Sequence, residues 1–118
     1  MRTLTSAEEV KDAAKIADGM GRKLLVVFSA PRCERCGPFK EELHKTILDE
    51  FELTCAEVDV DDVDALELTQ AHTVTKLPTV VIFNAEEAIC RLVAPPISEV
   101  RMAARSICEP KLTLTADF

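Results

Sequence analysis

Five consecutive apolar residues, Leu24-Leu25-Val26-Val27-Phe28, constrain this chain more than any other stretch. The run is too short for a helix with buried sides. It suits a strand covered on both faces, because alternate side chains of a strand point to opposite sides and here both sides are apolar. Such a strand needs a layer above it and a layer below it. The flanking segments supply helices at the right places. Ser6 with Glu9 three residues on reads as a helix start, leading to an apolar face of Val10, Ala13, Ala14 and Ala17 and a stop at Gly19. A second helix is expected from about Pro38 to Asp49, a third from Asp61 to Ala71, and a last one capped by Ser98 with a buried stripe of Val100, Ala103, Ala104 and Ile107.

Further strands are expected at residues 2–5, on the edge, and from Leu53 to Val60 and Thr79 to Phe83. Ala88 to Val93 follows a tight Asn84-Ala85-Glu86-Glu87 turn and pairs back. The order β-α-β-α-β-α-β-β-α predicts an α/β fold: a mixed central β-sheet flanked by helices on both faces. The alternating half is parallel and the hairpin antiparallel. At 118 residues, 47 % hydrophobic and 30 % charged, the chain is expected to form one domain over residues 1–108. Residues 109–118 are expected to be a C-terminal tail.

The charge balance narrows the function classes. Lys plus Arg is 14 and Asp plus Glu is 21, a net charge of −7, with no Trp and no Tyr. Such a chain repels phosphates and offers few stacking platforms, so no nucleic-acid partner is expected. No apolar run approaches the ~20 residues that span a bilayer, so no membrane partner is expected. The first fifteen residues lack the apolar core of a signal peptide, which leads to the expectation of a cytoplasmic protein with reduced thiols. Five Cys is an odd count and argues against a complete disulfide framework.

Cys33-Glu34-Arg35-Cys36 sits between the central strand and the second helix. Two thiols three positions apart at a helix start reach bonding distance with little backbone movement. Free N–H groups and the partial positive charge of a helix N-terminus stabilise a thiolate, the reactive species. The spacing therefore points to redox chemistry. A zinc module is the rival reading. His44, His72, Cys55, Cys90 and Cys108 could complete four ligands, but none forms a second spaced pair, and no metal is expected. The Asp59, Asp61, Asp62 and Asp64 cluster lacks the Gly and Glu of a calcium loop and reads as a solvated helix start. Cys55 and Cys90 are expected to be buried and His44 exposed, while Cys108 ends the last helix, where a thiol could be exposed.

The segment Val26-Val27-Phe28-Ser29-Ala30-Pro31-Arg32-Cys33-Glu34-Arg35-Cys36 resembles the active-site segment of thioredoxins, and Glu57-Val58-Asp59-Val60-Asp61-Asp62 is similar to the third-strand segment of the eukaryotic cytosolic type. Leu77-Pro78-Thr79 followed by Val80-Val81-Ile82-Phe83 resembles the family's cis-proline loop and fourth strand. Cys36-Gly37-Pro38-Phe39 echoes the same motif three residues later, in a register with one thiol. Pairing Cys33 and Cys36 with the family's two cysteines aligns Val26 to Asp62 without a gap and is preferred.

The resemblance implies a thioredoxin fold and thiol–disulfide exchange with protein disulfides. Cys33 would be the nucleophile, Cys36 the resolving thiol and Pro78 the cis-proline. Arg32, Glu34, Arg35, Leu77, Thr79 and Ala94 would line the substrate groove. It also implies a thioredoxin-reductase-type electron donor, no bound cofactor and a monomer. Four departures stand out. Arg32 replaces the family's Trp before the first cysteine, and Glu34-Arg35 replaces Gly-Pro between the two. The family's helix-kinking Pro is absent at Glu41. Val27 stands where the family has a buried Asp that relays a proton, and Glu57 on the neighbouring strand is the candidate replacement. The two arginines would favour the thiolate and Glu34 oppose it. The altered surroundings keep a second class open, a non-catalytic thioredoxin-fold adaptor.

Overall fold

A computed structural model describes residues 1–108, and the expected tail at 109–118 lies outside the described residues. Five strands form one sheet in the order β1-β3-β2-β4-β5. They are β1 (Arg2–Thr3), β2 (Lys23–Ser29), β3 (Leu53–Asp59), β4 (Thr79–Asn84) and β5 (Glu87–Val93). β1 and β2 each run parallel to β3; β4 runs antiparallel to both β2 and β5. The helices are α1 (Ala7–Gly19), α2 (Cys36–Glu42), α3 (Leu66–Ala71) and α4 (Ile97–Ile107).

The apolar run of β2 lies at the centre of the sheet, and its side chains divide by alternation. Leu24, Val26 and Phe28 join Val10, Ala14 and Ala17 of α1 in one core. Leu25 and Val27 join Phe39 and Leu43 of the α2 segment and Val100 and Ala104 of α4 in the other. All five residues of the run are buried, Val26 and Val27 completely. Each such side chain contributes about 1.5–3 kcal/mol of transfer free energy. The β2 C-terminus is thereby anchored from both sides, and the loop that leaves it starts from a fixed point.

The local starts and stops explain where the elements depart from expectation. The Ser6 hydroxyl accepts from the Glu9 N–H as expected, but the Glu9 carboxylate reaches past Ser6 to the N–H and hydroxyl of Thr5. α2 begins at Cys36 rather than near Pro38. The missing N–H of Pro38 falls in the first helical turn, where no donor is needed, so the helix accommodates it without shifting. After Glu42 the helix continues as a π turn over Leu43–Ile47, where the Thr46 hydroxyl caps the Glu42 carbonyl. The third helix divides into a 3₁₀ turn (Val63–Ala65) and α3, with the Asp62 carboxylate accepting from the Asp64 N–H. α4 starts ahead of Ser98, because the carbonyl of the extended Pro96 already accepts from Glu99 and Val100. Among the described residues no helix is long and apolar enough to cross a membrane.

Candidate active site

Two successive turns carry the chain from β2 into α2. The Cys33 N–H donates to the Ala30 carbonyl, and the Cys36 N–H donates to the Cys33 carbonyl. Cys36 is then the first helical residue, and the two cysteines form a disulfide with their Cα atoms 5.4 Å apart. The pair is asymmetric. Cys36 is 1 % exposed, whereas Cys33 is half-buried at the surface.

The Leu77–Pro78 peptide bond is cis. Leu77 and Cys33 line one cavity of about 390 Å³, together with Arg32, Val60, Thr75 and Lys76. The Pro78 carbonyl accepts from the Ala94 N–H at 2.8 Å, which joins the cis turn to the loop between β5 and α4. Thr79 lies behind this surface: it is fully buried, and its hydroxyl donates to the Lys76 carbonyl at 2.7 Å. Its side chain supports the cis turn rather than lining the groove.

The two arginines flanking Cys33 diverge. The Arg32 Nε donates to both carboxylate oxygens of Asp61, at 3.1 and 3.0 Å. Arg35 reaches the other way and donates to the carbonyls of Ala94 (3.1 Å) and Pro95 (2.7 Å). Glu34 faces a different cavity, of about 500 Å³, shared with Cys33, Cys36, Lys40, Glu57 and Asp59.

Glu57 is the register partner of Val27 across the parallel β2–β3 pair, so it shares the sheet face beneath α2. Its carboxylate accepts from Lys40 Nζ at 2.8 Å. Lys40, Lys76 and Pro95 were not expected at the site, and Asp61 was expected only as part of a solvated helix start. Lys40 carried a usable signal, since four residues after Cys36 places it on the same helix face. The other three are brought in by loops, with no comparable spacing.

Two of the remaining thiols differ from expectation in their exposure: Cys55 and Cys90 are half-buried rather than buried. Cys108 is buried because the last turn of α4 packs on the sheet. Burial pushes the Cys55 thiol up to about 12 and the Cys108 thiol up to about 11, and raises Cys90. None is poised as a nucleophile. His44 is exposed, and the half-buried His72 packs against Phe28 and Phe83, with ring centroids 5.6 and 5.7 Å away. Among the described residues no three His, Cys, Asp or Glu side chains are grouped to hold a metal ion.

The thioredoxin family profile matches residues 6–104. No curated protein matches the chain. Among solved structures, thioredoxin of Fasciola hepatica is 28 % identical with a TM-score of 0.72, covering 90 % of this chain and 98 % of that one. Mitochondrial thioredoxin 3 of Saccharomyces cerevisiae, in its oxidized form, superposes with a TM-score of 0.78 at 21 % identity, covering 91 % and 95 %. Oxidized thioredoxin O2 of Arabidopsis thaliana gives 0.70 at 18 %, covering 92 % and 94 %. At these last two identities the likeness is one of fold. The matched span holds the complete sheet apart from its short edge strand, the bonded Cys33–Cys36 pair at the start of α2 and the cis Leu77–Pro78 turn, and the chain belongs to the thioredoxin family.

Proposed function

We propose that this protein is a thiol–disulfide oxidoreductase that reduces protein disulfides through Cys33 and Cys36. The observation that carries the reading is the asymmetry of the bonded pair. Cys33 is reachable beside Leu77 at the cis turn, while Cys36 is 1 % exposed. An accessible thiol can attack an external disulfide, and an inaccessible one can only attack its neighbour.

In the reduced protein the Cys33 thiolate attacks one sulfur of the substrate disulfide. The S–S bond breaks, a substrate thiolate leaves and takes up a proton, and Cys33 is held in a mixed disulfide. Cys36 then gives up its proton and attacks the Cys33 sulfur, expelling the second substrate thiol. Two electrons pass to the substrate and the Cys33–Cys36 disulfide remains. The protein's own sulfurs hold these electrons, so no bound cofactor takes part. Glu57 is the acceptor for the Cys36 proton, through water in the cavity both line. Pro78 presents the Leu77 backbone for strand-like pairing with an extended substrate. Arg32, Glu34, Arg35 and Ala94 shape the groove around Cys33. A thioredoxin-reductase-type donor returns the pair to the dithiol, in the cytoplasm, and the protein acts as a monomer.

Insulin reduction by dithiothreitol tests this reading. The wild-type protein is expected to accelerate precipitation, and Cys33→Ser to abolish the acceleration. Cys36→Ser is expected to accumulate a mixed disulfide with the insulin chain, visible by mass on a non-reducing gel. A Cys33→Ser protein as fast as wild type would leave the adaptor reading in its place.

A further inference from the structure

We propose that Arg35 makes the groove selective for disulfides flanked by a carboxylate. The proposal rests on the oxidoreductase reading and names the substrate class of that same site.

Arg32 and Arg35 both border the reactive cysteine, but only one keeps its charge available. The Arg32 guanidinium is neutralised by Asp61. Arg35 is exposed and spends its two bonds on the carbonyls of Ala94 and Pro95, which are uncharged. It has no carboxylate partner within ion-pair distance among the described residues. A guanidinium carries five N–H donors, so donors remain for a further anion.

Its position is held from two sides. Its backbone lies between the two cysteines. The Ala94 carbonyl that it grips belongs to the residue whose N–H bonds Pro78. Ala94 itself has a φ of +47°, in the left-handed region that side chains other than glycine rarely adopt. Bonds at both its N–H and its carbonyl fix it there. The guanidinium is therefore fastened to the loop that bonds the cis turn, at the edge of the groove expected for substrate. A substrate carboxylate can accept from the donors that remain.

The surrounding charges agree. Glu34, Glu57 and Asp59 line the other cavity, around Lys40. On the Cys33–Leu77 side Lys76 is exposed and also lacks an ion-pair partner among the described residues. The reactive sulfur thus has its acidic neighbours on one side and the cations Arg35 and Lys76, unpaired among the described residues, on the other.

The test compares two synthetic peptide disulfides that differ only in Asp or Asn beside one cysteine. The readout is the ratio of their kcat/KM values, which cancels any change in the reactivity of Cys33 itself. Wild type is expected to favour the Asp peptide about fivefold, roughly 1 kcal/mol. In Arg35→Gln the ratio is expected to fall to about one, whatever the absolute rates. In Arg35→Lys, which keeps the charge but not the two-pronged grip, an intermediate ratio is expected. The wild-type preference is also expected to vanish at about 1 M salt, where the screening length is roughly 3 Å, a measurement that needs no variant to fold. Reduction of both peptides at equal rates by the wild type, or a preference that survives Arg35→Gln, overturns the proposal. Reduction of neither overturns the oxidoreductase reading, and the selectivity with it.

Discussion

Lys40 Nζ lies 2.8 Å from the Glu57 carboxylate, joining α2 to β3 at the wall of the cavity that Cys33 and Cys36 also line. The pair brings a carboxylate to the face of the sheet where Val27, fully buried, offers no proton acceptor. Both side chains are partly exposed, so water can carry a proton between Cys36 and the carboxylate. Replacing Glu57 by Gln preserves the shape and removes the acceptor. Closure of the mixed disulfide is expected to slow about tenfold near neutral pH, at or below the low end for acid–base assistance because the cavity admits water. The measurement is single-turnover release of a fluorescent substrate thiol, and a rate identical to wild type rules the role out.

Burial of the spare thiols has a consequence at alkaline pH. An unfolded cysteine titrates near 9.0, whereas Cys55 in the folded protein holds its proton until about 12 and Cys108 until about 11. Between those limits the unfolded chain has lost protons that the folded chain keeps, so stability falls as pH rises. The contribution is intact below about pH 9 and is lost progressively as pH climbs to 11 and then 12. The urea midpoint is expected to drop between about pH 8 and about pH 10.5, and to drop less in Cys55→Val, whose side chain fills nearly the same space without titrating. Equal drops in the two proteins would falsify this account. Alkylation at about pH 8 is correspondingly expected to reach Cys55 and Cys108 only in denaturant.

The elements that were legible in advance are those whose cause is local or periodic. The β2 run declared a doubly covered strand, Ser6 declared its helix, and Cys33 to Cys36 declared the chemistry, because hydrophobic pattern, capping and spacing are short-range properties. The resemblance added the fold and the partnership of Pro78 with the cysteines. The elements that were not legible depend on chain segments far apart in sequence. Arg32 and Arg35 read alike, yet one is cancelled by Asp61, 29 residues away, and the other grips carbonyls 59 and 60 residues away. Cys108 ends the last helix, where the sequence leaves exposure open, and the packing of α4 on the sheet buries it. Thr79 reads as groove-lining by its place beside Pro78, but β4 is covered on both faces and its side chain is buried.

His72 gives the acidic limb of stability a specific origin. Its half-buried ring packs against Phe28 and Phe83, and Arg91 donates to the His72 and Thr73 carbonyls next to it. Burial first, and the Arg91 charge second, hold its imidazole below the ordinary value of 6.5. As pH falls below 6.5 the unfolded chain takes up a proton that the folded chain refuses. The stability that comes from keeping the ring neutral is therefore present above that pH and is lost as pH falls through the lowered folded value. His72→Phe keeps an aromatic ring against Phe28 and Phe83, leaves the backbone carbonyls available to Arg91, and removes the titration. Its urea midpoint is expected to fall less than that of wild type between about pH 7.5 and about pH 5.5. Parallel falls in the two proteins would place the acid sensitivity in the carboxylates instead of in this ring.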